Sequence, residues 1–226
     1  MRAVFFHQHG GVSQLQYQYT ERPEPGAHEV LIKVGAAALN HLDLWTLQGI
    51  PGIKIPLPHI LGCDVAGEVV ELGSKVRGIP LHKPVLVAPG LRCGKCRFCR
   101  KGWDSLCPKY KIMGLQVQGG YSEYVTAPAE NIFRVSSRLS LEEWAAVPLV
   151  FVTAWHMLVT HARLRRGETV LIHAAGSGVG SAAIQIAKYF KAMVITTVGS
   201  DTKAKKAKVV ESEEKLLRLA HRNLWN

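Results

Sequence analysis

Short runs of β-branched and aromatic residues mark the first half of the chain. Ala3 to Phe6, Val30 to Val34, Val65 to Leu72 and Val85 to Ala88 each have the length of a strand. Turn residues separate them at Gly10-Gly11, Pro23 to Gly26, Pro51-Gly52 and Gly73-Ser74. Such punctuation predicts a compact β barrel or sandwich. Leu42 to Leu47 predicts a short helix, and Gly119 to Val125 and Ile132 to Val135 predict two later strands. Around Ser140 the period changes. Ser140-Leu141-Glu142-Glu143 is a near capping box ahead of a long apolar helix, which Pro148 divides. Glu168 to Ala174 predicts a buried strand, Gly176 to Gly180 a glycine-rich turn, Ser181 to Lys191 an apolar helix, and Met193 to Val198 a second buried strand. That succession is a βαβ unit, the opening of a dinucleotide-binding sheet. We therefore expect a β plus α/β protein: a β domain over 1–139, then a connecting helix and a partial parallel-sheet domain over 140–226.

Two strands fit the second domain. After Ser200 the remaining 26 residues predict one amphipathic helix, with Val210, Leu217 and Leu224 on one face and Glu211–Lys215 and Glu214–Arg218 as i,i+4 pairs.

The 226 residues are 47% apolar, which suffices for a core. The longest apolar run, Ala145 to Trp155, contains Pro148 and is too short to cross a bilayer. With no signal peptide in view we expect a cytoplasmic protein that does not contact membrane. The net charge of +11 changes the picture little. Its basic residues are dispersed or sit among the cysteines, and the cluster from Lys203 to Lys208 is followed by Glu211, Glu213 and Glu214, so we expect no nucleic-acid partner.

The cysteines change it a great deal. Cys93, Cys96, Cys99 and Cys107 crowd into 15 residues and leave Cys63 alone. Four thiolates complete a tetrahedral shell around Zn²⁺ and leave no open position, as in a structural site. Such a centre carries a net charge of about −2, and Arg92, Lys95, Arg97, Arg100 and Lys101 stand ready to offset it. Disulfides fit poorly, because the spacing is tight and one thiol is left over. An iron–sulfur cluster is the competitor, since Cys107-Pro108 echoes a ferredoxin run, although the last interval is seven residues here where that run has three.

The glycine turn would let backbone approach a pyrophosphate at a helix N-terminus, with Gly176, Ser177, Gly178, Val179 and Gly180 as the binding residues. The G-x-G-x-x-G pattern fits imperfectly in two registers. In one, Gly176 and Gly178 hold the first two positions and Ser181 the third; in the other, Gly180 holds the third and Ala175 and Ser177 the first two. A tight structural turn would read the same way. The second strand ends Val198-Gly199-Ser200-Asp201 with Lys203 close by, so small and basic residues, Ser200 and Lys203 among them, favour NADP over NAD. Asp201 could instead accept the ribose hydroxyl of NAD.

These features together resemble the medium-chain dehydrogenase/reductase superfamily, the zinc-type alcohol dehydrogenases and their quinone oxidoreductase relatives. The resemblance runs from Met1 to about Lys208. It also takes in Asn40-His41-Leu42-Asp43, Gly62-Cys63-Asp64-Val65-Ala66-Gly67 and Thr153-Ala154-Trp155. It implies an N-terminal GroES-like barrel carrying the zinc lobe (about 91–110), a Rossmann domain, and hydride transfer between them. It also implies that a catalytic zinc would be held at Asn40, Cys63 and Leu149, of which Cys63 alone is a strong ligand. His41 and His59 lie near enough in sequence to suggest a less usual site with Cys63. The hydroxyl that starts the family's alcohol proton relay falls on Leu42. We therefore expect the zinc-independent chemistry of the family, reduction of a carbonyl, quinone or enone by a nicotinamide cofactor. Asn40 would orient the substrate carbonyl, Asp43 and Asp64 would fix the cleft beside Cys63, and Thr153 would lie beside the nicotinamide.

Relatives continue with more sheet and a last segment that returns to the barrel. The chain is expected to be C-terminally incomplete and a candidate for inactivity, or to use its tail as a homo-oligomer contact. Gly78 to Pro84 and Val209 to Asn226 depart from the family pattern, and frameshifts in the coding sequence would explain both. A non-catalytic, zinc-stabilised binding module is the alternative function.

Overall fold

A computed structural model describes residues 1–200, Thr202 and, as backbone, 215–218. The chain forms two compact units, 1–149 and 150–226.

The first unit is built on β1 (Arg2–Phe6), β2 (Gln16–Tyr19), β3 (Glu29–Ala38), α1 (His41–Gln48), β4 (His59–Ile60), β5 (Asp64–Leu72) and β6 (Pro84–Val87). The short pair β7 (Gly90–Leu91) and β8 (Lys111–Ile112) brackets the cysteine segment, and β9 (Tyr124–Pro128), β10 (Ile132–Arg134) and α2 (Leu141–Ala145) complete the unit. An antiparallel five-stranded sheet runs β10-β6-β5-β3-β9, and a three-stranded sheet runs β2-β1-β4. An isolated bridge from Ala3 to Ser122 links the two sheets. Among the described residues strand pairing does not close the expected barrel; the unit is an open pair of sheets.

The strands read most easily from sequence are those with one face in the core. Val30, Ile32, Val65, Val69, Val85 and Val87 are fully enclosed and pack together. Each contributes roughly 1.5–3 kcal/mol of hydrophobic stabilisation. β2 was not legible, because Gln16 to Tyr19 is exposed throughout and has no buried face to impose alternation. Ser140 does cap α2: its Oγ accepts the Glu143 N–H at 3.2 Å, and the Glu143 carboxylate accepts the Ser140 N–H at 2.8 Å. The expected boundary at residue 140 therefore lies ten residues before the observed one at 150, because α2 packs on β3 and β5.

The last two residues of the first unit open α3 (Pro148–Trp155), which begins at the proline that divides the apolar stretch and runs, in the second unit, into a π-helical segment at His156–His161. β11 (Thr169–Ile172), α4 (Gly178–Tyr189) and β12 (Met193–Val198) form the βαβ unit, with the strands parallel from Thr169 opposite Met193 to Ile172 opposite Thr196. Ala154, Leu158, Ile172, Ala183, Val194 and Val198 are among its buried core.

β13 (Lys215–Arg218) then pairs parallel with β12. This corrects two expectations: the sheet has a third strand, and 215–218 is not helical. Paired charges support a helix by only about 0.2–0.5 kcal/mol each, whereas the open edge of β12 offers a full ladder of backbone hydrogen bonds. The remainder of the expected tail helix, with Asp201 and Lys203, lies outside the described residues.

Candidate active site and metal centre

The cysteine lobe is made by local turns. After β7 the chain coils through short 3-10 turns at Cys99–Lys101 and Asp104–Leu106, with left-handed glycines at Gly94 and Gly102, and returns along β8. The four sulfurs of Cys93, Cys96, Cys99 and Cys107 lie within 4.8 Å of one another. Cys96 and Cys99 are 3.4 Å apart, and Cys93 and Cys99 3.9 Å. Tetrahedral Zn–S bonds of about 2.3 Å require sulfurs roughly 3.8 Å apart, so the residues fit the metal with small adjustments. The backbone N–H groups of Lys95 and Cys96 pull the Cys93 thiol down to about 6, while burial pushes Cys99 up to about 12.

Three of the lobe's five basic residues also make contacts of their own. The Arg92 guanidinium donates to Asp104 at 2.9 Å and to Glu130 at 3.1 Å. Arg97 lies over the Phe98 ring and Lys101 over Trp103. Arg92 is thus paired with carboxylates, while Arg97 and Lys101 keep their charge over aromatic faces beside the thiols.

A second polar cluster gathers at the opposite extreme of sequence separation. Asn40 precedes α1 and Asp43 sits in its first turn, where the carboxylate accepts the Asn40 backbone N–H at 2.7 Å. Asp43 also accepts the Tyr121 hydroxyl at 2.6 Å and the Gly62 N–H at 3.3 Å. The Asn40 side-chain amide donates to Asp64 at 2.8 Å and, more weakly, to the Cys63 sulfur at 3.5 Å. The other oxygen of Asp64 accepts the Leu149 backbone N–H at 2.8 Å. Asn40, Asp43, Cys63 and Asp64 are thus brought together as sequence suggested. At Gly62, with φ 98°, a β-carbon would strike the Tyr121 ring, so conformation and space both call for glycine.

Burial dominates this cluster's electrostatics. Desolvation raises Asp64 to about 6 against the hydrogen bonds from Asn40 and Leu149, which favour its charged form. Cys63, fully enclosed, is pushed far above an ordinary thiol by burial and by the Asp64 and Asp43 charges, so it stays protonated. Tyr121 was missed in sequence; its signal was the Gly119-Gly120-Tyr121 run, read only as a strand. His59 and His41 do not join Cys63. His59 is buried, hydrogen-bonds the Gly114 carbonyl at 3.0 Å and packs edge-on against Phe6, and His41 packs against Trp45.

In the second unit the turn before α4 resolves the register. Ser177 is the N-cap, its Oγ accepting the Gly180 N–H at 3.0 Å, so the helix already begins at Gly178. A β-carbon on Gly180 would strike the Ala174 carbonyl. Gly180 therefore holds the third position of the pattern, where helix and strand pack closely, with Ala175 and Ser177 in the first two. Helix geometry leaves the N–H groups of Gly178 and Val179 without an intrahelical acceptor, which suits a pyrophosphate. Thr197 anchors the turn: its hydroxyl accepts the Ala174 N–H at 3.1 Å and its carbonyl the Ala175 N–H at 3.1 Å. That role was invisible in sequence. Thr153 is half-buried in α3, and Ser200 follows β12.

Residues 26–137 match the alcohol dehydrogenase GroES-like domain. A NAD-dependent alcohol dehydrogenase of Sulfolobus acidocaldarius is 36% identical over 193 residues, which cover 83% of this chain and 55% of that protein. A crystal structure of a NAD-dependent alcohol dehydrogenase superposes with a TM-score of 0.94 at 46% identity, over 98% of this chain and 64% of that one. The chain belongs to the zinc-type alcohol dehydrogenase group of the medium-chain dehydrogenase/reductase superfamily. Not every relative is named an alcohol dehydrogenase: an acryloyl-coenzyme A reductase of Metallosphaera sedula is 36% identical, covering 80% of this chain and 54% of that protein. The chain spans little more than half the length of these curated relatives. As a superfamily member it has a four-cysteine lobe that supports a structural zinc. Among the described residues no helix is long and apolar enough to cross a membrane.

Proposed function

We propose that the chain carries the GroES-like domain and first βαβ unit of an NAD(P)-dependent oxidoreductase that reduces a polarised carbonyl, enone or quinone without a catalytic zinc. The observation that carries this reading is the Asn40–Cys63–Asp64 array. A catalytic zinc needs three protein ligands and an open position. Here Asn40 presents amide hydrogens to Asp64 and Cys63, which leaves Cys63 as the one strong ligand among the three positions. Leu149 contributes a backbone N–H to Asp64 and no ligand. That donor set does not fit a catalytic zinc.

The nicotinamide, when bound, supplies a hydride. The protein's part is orientation. Of the two Asn40 donations, the one to sulfur at 3.5 Å is the weaker, and it is the one a substrate carbonyl would take over, bringing an N–H to the oxygen on which charge develops. Asp64, raised to about 6 by burial and ionised for the most part at neutral pH, accepts the amide hydrogen and holds Asn40 in place. Asp43 fixes the Asn40 backbone, and Thr153 supplies a hydroxyl for the nicotinamide. Gly176 to Gly180 bind the pyrophosphate, and Cys93, Cys96, Cys99 and Cys107 hold the structural zinc.

The preference for NADP rests on sequence, on the small residues Gly199 and Ser200 after β12 and on Lys203. Relatives named NAD-dependent carry the opposite choice. Cytoplasmic placement follows from the metal reading of the cysteines, and the oligomeric state is tested by sedimentation. The deciding experiment is titration of the folded, zinc-loaded chain with NADPH and then NADH, followed by nicotinamide fluorescence. Saturable binding, tighter for NADPH, supports the reading and opens a screen of carbonyls, enones and quinones. No binding of either overturns it and leaves a non-catalytic, zinc-stabilised module.

A further inference from the structure

The segment after α3 holds two histidines that no part of the oxidoreductase reading uses. His156 and His161 are five residues apart, a spacing that an α-helix would place roughly 140° apart around its axis. Here the helix widens into a π turn, marked by the Ala162 N–H to Met157 carbonyl bond at 2.9 Å, and residues five apart come onto one face. The turn ends in a left-handed residue, Arg163 at φ 53°. The two Nε2 atoms lie 2.9 Å apart, with ring centroids at 4.4 Å and the planes nearly perpendicular. His156 is half-buried and His161 exposed, so the pair opens to solvent.

We propose that His156 and His161 form a binding site for a divalent transition-metal ion of the nickel and copper class. Two imidazole nitrogens that occupy neighbouring positions of a square-planar or tetragonal ion, at metal–nitrogen distances of about 2.05 Å, lie about 2.9 Å apart; a tetrahedral ion would hold them at about 3.3 Å. The observed separation, which is also that of a hydrogen bond between the rings, matches the neighbouring, right-angled pair and needs little change to accept the ion. In the metal-free protein the same pair is a hydrogen bond, one ring donating and the other accepting. Metal binding requires the donating ring to change tautomer, its proton leaving Nε2 while Nδ1 takes one up from water, and rotation of the rings about their broad terminal torsions brings both Nε2 lone pairs onto the ion. Water completes the coordination. The π turn is then the device that builds the site, since an ordinary helix would separate its two ligands.

The test is calorimetric titration of the zinc-loaded chain with Ni²⁺, chosen because copper would compete for the thiolates. One Ni²⁺ per chain is expected in addition to the lobe zinc, with zinc content unchanged. His161→Gln should weaken that binding at least tenfold, and His156→Gln with His161→Gln should abolish it, with far-UV circular dichroism unaltered. Nickel should also broaden the ring proton resonances of His156 and His161 selectively. Equal nickel uptake by the double variant, uptake only with displacement of zinc, or no uptake by the unsubstituted chain would each overturn the proposal. None of these readouts depends on cofactor binding or turnover.

Discussion

Two cysteine-containing clusters lie in the same unit, and they are built on opposite terms. The lobe gathers four thiols from a 15-residue segment with turns that close locally. The Asn40 cluster gathers one thiol, two carboxylates, an amide and a phenol from positions as distant as Asn40, Cys63, Tyr121 and Leu149. In the lobe the polar atoms face one another and wait for a cation. In the cluster the carboxylates already accept from Asn40, Gly62, Tyr121 and Leu149, and a cation would have to displace those donors. Cysteine near other ligands is therefore not enough to read a metal site: what matters is whether the neighbouring groups are spare acceptors or are already satisfied.

Removing the metal gives the largest contrast. Zinc is expected at about one per chain, and chelation or Cys99→Ser should destabilise the first unit by several kcal/mol, since binding energy at a structural site is folding energy. Elemental analysis and thermal melts check this. Iron in place of zinc, or an unchanged melt, would collapse the distinction between the clusters.

The next effect belongs to Asp64. Its carboxyl is raised from 3.8 to about 6 on folding. The folded state then binds its proton more tightly than the unfolded state, so this contribution to stability is greatest below pH 4 and is lost as pH rises to about 6. A two-unit shift corresponds to up to about 3 kcal/mol. Denaturant unfolding between pH 4 and 7 should show wild-type stability falling relative to Asp64→Asn across that window; parallel curves for the two proteins would show that the carboxyl is not held this way.

Tyr121→Phe should cost about 2 kcal/mol, the worth of a hydrogen bond to a charged group. It should leave zinc content untouched, which separates the two clusters energetically. Smallest of all, Arg92→Met should cost under about 1 kcal/mol, because its ion pairs with Asp104 and Glu130 are partly exposed and screened. A loss of zinc on that substitution would restore the idea that the basic residues neutralise the thiolates.

The same contrast explains what could be read from the chain. Met193 to Val198 was located without error, since a short, mostly buried β-branched run that ends at Gly199 needs no partner to identify it. The residues of α1, α2 and α4 were legible from caps and period, to within a few positions at their ends. β2 and Lys215–Arg218 were not, because both are strands only by virtue of a neighbour: β1 for the first, β12 for the second. The glycine register was undecidable from letters alone, until the closeness of Gly180 to the Ala174 carbonyl assigned it.

By itself, then, the sequence determined the two kinds of local grammar, the βαβ unit and the four-thiol lobe, because periodicity, turn chemistry and short ligand spacing act over a few residues. Tertiary structure alone decided that Tyr121 serves Asp43, that Leu149 serves Asp64 through its backbone, that Arg92 answers to carboxylates, and that a π turn pairs His156 with His161. Hydrogen-bond partners and desolvation depend on which distant segments the fold brings within 3 Å or so, and no local pattern encodes that.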